Sequence, residues 1–424
     1  MVEKSERFGG EVYAPPSKAY THRMMIGALL SRGTSRILNP LSSDDTQATL
    51  EAIEAFGAEV EPEETCWTIK GRPSLETPRN PIDCGESGAT LRFMIPVATL
   101  APGPSTFTLG LSISRRPLEP LLRSLKQLGA ESSLRRDEKG SVVRVHGGGI
   151  RGGKASIRGD ISSQFISGLL FVCPRAEENT EITVTTPLES VSYVRMTIEV
   201  LEKHGIRVSA SNDLKQLRVP SNQNYSPCDH KVPGDFSSAS FLLAAAAITC
   251  SKVKVKNLDQ HTTQGDKAIL GILEEMGSKV RVEDEYVEAE GKQLNAIDVD
   301  VKDIPDLVPV CAALACYSKG TSKLYNARRL RYKESDRLSS LHAELKKMGA
   351  DVKMIEDCLI IKGPRPLHGA TIDPHNDHRI AMACAVAALG ASGDTRIQNS
   401  ECVRKSYPTF FDDLRSLGAD VVGE

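Results

Sequence analysis

LKKMGADV, residues 345–352, carries an amphipathic run into Gly349 and turns at once into an extended stretch. A glycine at that place can take a positive φ, so it closes a helix and releases the chain into a strand. The signature recurs as IEAFGAEV (53–60), LKQLGAES (125–132), LEKHGIRV (201–208), LEEMGSKV (273–280) and LRSLGADV (414–421). Its glycines, Gly57, Gly129, Gly205, Gly277, Gly349 and Gly418, stand 72, 76, 72, 72 and 69 residues apart. One copy is common in α/β proteins, but six at near-constant spacing predict an internally repeated α/β unit. A stacked solenoid is the competing reading; the long period and the unlike intervening segments weigh against it.

Three copies precede the polar stretch SNQNYSPCDHK (221–231), which reads as a linker, and three follow it. Tyr13–Ala14–Pro15–Pro16 reads as a second crossing. The expected organisation is a first lobe over residues 13–227 and a second over residues 1–12 plus 228–424. Two short crossings make a hinge, with a ligand site expected in the cleft between the lobes.

The 424 residues are 40% hydrophobic and 25% charged, as in soluble globular proteins. Aromatic residues make up only 5%, which argues against a base-stacking surface. A net charge of −2 argues against duplex binding, so no nucleic-acid partner is expected. The ten cysteines form no CxxC pair and no Cys/His cluster with zinc spacing, so buried reduced thiols in a cytoplasmic protein are expected. The N-terminus MVEKSERFGGEVYAPPSK lacks the apolar stretch of a signal peptide, and FLLAAAAITC (241–250) is too short to span a bilayer; no membrane association is expected.

Local cationic patches in this neutral chain suit a small anionic ligand. APPSKAYTHRMMIGALL (14–30) starts a helix near Ser17 with Lys18 and Arg23 in its first turns, against the helix dipole unless an anion sits there. DCGESGATLRFM (83–94) places Gly85, Ser87 and Gly88 before a helix containing Arg92, so backbone N–H groups can approach an anion, although a tight turn explains the pattern equally. SISRRPLEPLLRSL (112–125) presents Arg115 and Arg116, whose guanidinium can grip phosphate or carboxylate bidentately. GDISSQFISGLL (159–170) has Ser162, Ser163 and Gln164 in succession, more than a helix cap needs. In IPDLVPVCAALA (304–315), Asp306 is either an N-cap or a general base. In RRLRYKESDRLSSLHAEL (328–345), Lys333 and Arg337 at i and i+4 are expected to share a helix face, with Glu334 between them. DPHNDHRIAMACAV (373–386) and VRKSYPTFF (403–411) add Arg379 and Lys405; the histidines there lack a metal-ligand pattern, so no metal is expected.

Taken in order from Lys18 to Lys405, these motifs resemble the enolpyruvyl transferases. SSQF (162–165), YKESDR (332–337) and NDHRIAM (376–382) resemble the branch whose acceptor is shikimate 3-phosphate. The resemblance implies an α/β fold in two lobes, an inside-out α/β barrel of six βαβαββ-type repeats, three per lobe, with buried helices and outward-facing sheets. It implies a transferase of the shikimate pathway to chorismate and the aromatic amino acids, monomeric and without a cofactor. The enolpyruvyl group of phosphoenolpyruvate would pass to the 5-hydroxyl of shikimate 3-phosphate, with loss of phosphate, through a tetrahedral intermediate.

By the same resemblance, Lys18, Ala19, Arg23, Ser162, Ser163, Gln164, Ser190, Tyr193, Asp306 and Lys333 hold shikimate 3-phosphate. Lys18, Gly88, Arg116, Gln164, Arg337, Arg379 and Lys405 surround phosphoenolpyruvate. Asp306 and Glu334, with Lys18, are the catalytic residues. Three positions depart from the common pattern: Ala19 lacks the usual hydroxyl, Glu86 replaces an Asn, and Arg329 stands where Asn is frequent. The alternatives are transfer to a UDP-amino sugar and an RNA-end-processing protein on a related fold. The first typically uses a cysteine near the first lobe's Arg motif, and the segment around Arg115–Arg116 has none. A non-catalytic scaffold would not require Asp306, Glu334 and the cations together.

Overall fold

The computed structural model describes residues 1–3, 8–137 and 140–423. The chain divides into two compact units, Ser17–Val232, and Met1–Pro16 together with Pro233–Glu424. Both crossings lie a few residues later than the sequence reading put them. The strand Gly9–Tyr13 pairs in parallel with Lys252–Lys256, and the Ala14 N–H bonds to the Lys256 carbonyl at 3.0 Å, which ties residues up to Pro16 to the 233–424 unit. Residues 4–7 of the segment 1–12 expected in the second lobe lie outside the described residues. The stretch 221–231 is no free linker. Buried Tyr225 donates its hydroxyl to the Phe171 carbonyl at 2.6 Å, and His230–Lys231 pairs with Ile37 and Leu38, so this polar segment is part of the 17–232 unit.

All six signature glycines have φ between 79° and 104°. Each ends its helix in the same way. At Gly349 the N–H bonds to the Lys346 carbonyl at 3.0 Å and the next N–H, of Ala350, reaches back to the Leu345 carbonyl at 3.0 Å. That 6→1 and 5→2 pairing is a Schellman closure, and a side chain at positive φ would strain it. The helices so closed are Asp44–Ala55, Glu119–Gln127, Val191–Lys203, Ile269–Glu275, Arg337–Lys347 and Phe410–Ser416.

Five four-stranded sheets share one pairing scheme: a parallel pair, then two antiparallel partners. In the first, His230–Lys231 pairs in parallel with Gly33–Leu38, which is antiparallel to Cys66–Gly71, which is antiparallel to Glu59–Pro62. A sixth sheet, Thr371–Ile372 with Arg396–Ile397, keeps the parallel pair among the described residues. The strand Tyr286–Glu290 alternates between partly exposed and buried positions, so its sheet is apolar on one face only.

Behind the sheets run largely buried helices, most of whose charged residues lie near their N-termini: Lys18–Leu30, Gly88–Ala98 and Ser163–Val172 in the 17–232 unit, and Phe236–Ile248, Val308–Tyr317 and His378–Ala388 in the other. Every residue of Phe236–Ile248 and of His378–Ala388 is buried. Phe236–Ile248 has no charged residue and is covered on all sides, as a helix without a polar face has to be. Full burial of Phe241, Leu242 and Leu243 contributes about 1.5–3 kcal/mol each. Each unit closes its own apolar core around its three such helices.

Candidate active site

In the 17–232 unit the three buried helices follow Ser17, Ser87 and Ser162. The Ser87 hydroxyl accepts from the Thr90 N–H at 3.2 Å and that of Ser162 from the Gln164 N–H at 3.3 Å. Neutral caps leave the partial positive charge of the helix ends uncancelled. Cations gather around them. Arg23 is 2% exposed and its partners are all neutral: Thr197 Oγ1 at 2.8 Å, the Ala19 carbonyl at 2.7 Å, the Tyr193 carbonyl at 3.1 Å and Ser167 Oγ at 3.5 Å. Its guanidinium also lies over the Phe93 and Tyr193 rings. Burial lowers its pKa to about 10, so it stays charged. A buried cation with neutral partners is incomplete electrostatically and calls for an anion. The Lys18 ammonium pairs with Asp45 at 2.9 Å.

Gly88 begins the second of these helices. A Cβ there would stand 3.2 Å from Arg116 Nη1, 3.3 Å from Arg92 Nη1 and 3.7 Å from Gln164 Oε1. Arg92 donates to Gln164 Oε1 at 2.7 Å, and Arg116 to Ser112 Oγ at 3.0 Å. Two guanidiniums and an amide thus converge on a residue with no side chain. Ser162 and Ser163 are buried beside Gln164. Ser190 is buried in the left-handed region, φ 56° and ψ 49°, at the start of the helix bearing Tyr193 and Thr197. Such a backbone costs a non-glycine residue about 1–2 kcal/mol, the kind of strain retained where a side chain must be aimed.

The other unit caps its buried helices with carboxylates. Asp235 accepts from the Ser238 N–H at 3.1 Å and Asp377 from the Arg379 N–H at 3.0 Å. Asp306 stands midway in sequence, 71 residues from each, yet it does not occupy the cap position of its helix. It lies in a 3-10 turn, Pro305–Leu307, and Leu307 takes the cap position of the helix Val308–Tyr317. The inserted turn leaves its carboxylate for side chains. Lys333 Nζ donates to Asp306 Oδ1 at 3.1 Å and Arg337 Nη1 at 2.8 Å, while Arg379 Nε stands 3.6 Å away. Burial opposes ionisation of Asp306, but Arg379, Lys333 and Arg337 outweigh it and hold the carboxyl well below its usual range.

Arg337 is 1% exposed and also donates to Glu334 Oε2 at 2.5 Å and to Asp377 Oδ2 at 2.8 Å. Burial disfavours its charge, but Asp377, Glu334 and Asp306 reverse that and raise its pKa. Lys405, 8% exposed, donates to the Asn376 carbonyl at 2.7 Å. Arg329 is buried as well and, with Arg337, adds to the burial that lowers the pKa of Lys333.

The structure corrects the helix-face reading and shows how two further charges are met. Lys333 and Arg337 do not share a helix face: Asp336 caps a helix that begins at Arg337, Lys333 ends the preceding 3-10 helix, and the two cations meet by converging on Asp306. The cations of this unit are not an unopposed positive surface, because Asp306, Glu334 and Asp377 surround Arg337. Glu86 does not confront the Gly88 cluster as a bare charge; its carboxylate accepts the Ser112 and Ile113 N–H groups, each at 3.1 Å.

Sequence reasoning did not assign Arg92, although it lies four residues after Gly88 and therefore on the same helix face. It also missed Asp377, which sits inside NDHRIAM. Asp266 carried no signal in the sequence. It is buried, and burial together with Asp306 pushes its pKa up to about 7 against the opposing pull of Arg379. No group of three or more His, Cys, Asp or Glu residues suited to a metal occurs among the described residues.

The family model for EPSP synthase (3-phosphoshikimate 1-carboxyvinyltransferase) matches residues 2–414. The 3-phosphoshikimate 1-carboxyvinyltransferase of Methanocaldococcus jannaschii is 44% identical over 425 residues, covering 99% of this chain and 98% of the relative. That of Methanocella arvoryzae is 45% identical over 426 residues, covering 99% of each. Among solved structures, EPSP synthase from Acinetobacter baumannii superimposes with a TM-score of 0.83 at 28% identity, covering 100% of this chain and 99% of that one. These matches do not favour a UDP-amino sugar as acceptor or an RNA-processing role. They join the carboxylate released from capping at Asp306 and the anion-seeking cluster around Arg23 and Gly88 in one conclusion: the chain belongs to the EPSP synthase family and is a transferase that moves the enolpyruvyl group of phosphoenolpyruvate to shikimate 3-phosphate.

Proposed function

We propose that the two clusters act on the same substrate pair, by addition and elimination at the 5-hydroxyl of shikimate 3-phosphate. Lys18, Arg23, Ser162, Ser163, Gln164, Ser190 and Tyr193 hold shikimate 3-phosphate, the backbone of Ala19 standing in for the missing hydroxyl, with Asp306 and Lys333 at its reacting end. Lys18, Gly88, Arg116, Gln164, Arg337, Arg379 and Lys405 hold phosphoenolpyruvate.

Asp306 takes the proton of the 5-hydroxyl as the oxygen attacks, and Glu334 protonates the methylene carbon of phosphoenolpyruvate. Carbon C2 then carries both the new C–O bond and the phosphate. Loss of the proton from the methyl carbon re-forms the double bond as the C–O bond to phosphate breaks. The cations stabilise the developing charge, and orientation supplies much of the rest. The observation that carries this reading is Asp306, ionised and held by Lys333 and Arg337 beside Glu334 instead of capping its helix.

The shared sheet pairing and the six Schellman glycines support six βαβαββ-type repeats, three per lobe, of an inside-out α/β barrel. The family resemblance supports a monomer that acts without a cofactor and without nucleic-acid or membrane partners. The free cysteines support a cytoplasmic location, and among the described residues no helix is long and apolar enough to cross a membrane.

The test is phosphate release from phosphoenolpyruvate with shikimate 3-phosphate present or absent and no added metal. Release only with both substrates is expected. Release with a UDP-amino sugar, and none with shikimate 3-phosphate, would overturn the acceptor.

A further inference from the structure

We infer that Glu86 is a positioning residue that locks the Arg116 guanidinium into its phosphoenolpyruvate-binding pose; the inference rests on the proposed roles of Gly88 and Arg116. Glu86 stands two residues before Gly88, on the loop that precedes the helix Gly88–Ala98. Its two carboxylate oxygens reach a different segment, the short helix Leu111–Ser114, where Oε1 accepts from the Ser112 N–H and Oε2 from the Ile113 N–H, each at 3.1 Å. The two segments are also joined by the Gly110 N–H to the Gly85 carbonyl at 2.8 Å. The short helix leads directly into Arg115 and Arg116, and the Arg116 N–H bonds to the Ile113 carbonyl at 3.1 Å. Arg116 Nη2 donates to the hydroxyl of Ser112, the residue whose N–H Glu86 holds, at 3.0 Å. A chain of contacts therefore runs from Glu86 through Ser112 to the guanidinium that stands over Gly88.

The chemistry fits the task. A carboxylate beside an anion site would repel the anion if it faced it. Here both oxygens are turned to N–H donors of a helix start, where negative charge is favoured. The contact costs the site little repulsion and holds in register the two loops whose side chains meet at Gly88. Leu111 is 78% exposed, whereas Ile113 is buried in the apolar core of this unit.

The experiment compares steady-state kinetics of Glu86→Gln, Glu86→Ala, Ser112→Ala, the Glu86→Ala/Ser112→Ala double variant and Arg116→Ala. Glu86→Ala should raise the KM for phosphoenolpyruvate about tenfold, the loss expected of a charge-assisted hydrogen-bond pair. Glu86→Gln, which keeps one acceptor, should raise it about threefold. The KM for shikimate 3-phosphate and the melting temperature should stay near wild type. The double variant should lose less than the product of the single losses, because both act through Ser112. A phosphoenolpyruvate KM within twofold of wild type in both Glu86 variants, with Arg116→Ala impaired, would overturn the inference. So would equal losses for both substrates. An unimpaired Arg116→Ala would instead remove the proposed phosphoenolpyruvate site on which the inference stands.

Discussion

Replacing Asp306 with Asn removes one negative charge from a nest of cations while keeping the side chain's shape. Lys333 at 3.1 Å and Arg337 at 2.8 Å lose their shared carboxylate, but Arg337 retains Glu334 at 2.5 Å and Asp377 at 2.8 Å. Stability should therefore fall by only about 1–3 kcal/mol, the range for a charged hydrogen bond with partners remaining. Turnover should fall about 10²–10⁴-fold, the share of a positioned base, equivalent to roughly 3–5 kcal/mol of barrier.

Binding should move the other way. Asp306 neutralises cations that the substrates' anionic groups need, so its removal should leave phosphoenolpyruvate affinity unchanged or tighter. Single-turnover phosphate release gives the chemical step, calorimetric titration the affinity, and a thermal melt the fold. A fall in turnover below tenfold, or a parallel loss of affinity in a folded variant, would refute the assignment of Asp306 as the base.

Gly88→Ala places a methyl 3.2–3.3 Å from Arg116 and Arg92, so the KM for phosphoenolpyruvate should rise about tenfold with shikimate 3-phosphate little affected; an unchanged KM would show that the guanidiniums yield freely. Arg23→Gln should weaken shikimate 3-phosphate binding about 100-fold by calorimetry, because a desolvated guanidinium with neutral partners has its charge to give to an anion; a loss below fivefold would count against that role. His204 and His230 are buried with their Nε2 atoms 2.9 Å apart, a contact in which one ring donates and the other accepts, so the two cannot both be protonated. Burial lowers both pKa values, and the neighbouring His204 helps take His230 to about 3. The unfolded chain thus binds more protons below pH 6.5, and stability is lost as pH falls from there. His230→Asn should make that slope shallower by about 1.4 kcal/mol per pH unit between pH 6 and 4, measured by denaturant titration; an identical slope would exclude the pair as its source.

What the sequence determined by itself is what adjacent residues decide. The glycine after each amphipathic run sets a left-handed turn at that residue, whatever surrounds it, so the repeat was legible at Gly57 through Gly418. The helix start at Ser162 in SSQF was legible for the same reason. Tertiary structure decided what depends on partners far along the chain. Arg23 is held by Thr197, 174 residues away, and Arg92 by Gln164, 72 residues away. Lys333 and Arg337 meet on Asp306 through a helix break that their i, i+4 spacing did not reveal. The state of each charge followed from packing as well: Asp306 is held ionised by three cations, whereas Asp266, buried nearby among other acids, is drawn toward its neutral form. Backbone preference is a property of a few neighbouring residues, but burial and Coulomb energy belong to the whole neighbourhood, and only the folded chain assembles it.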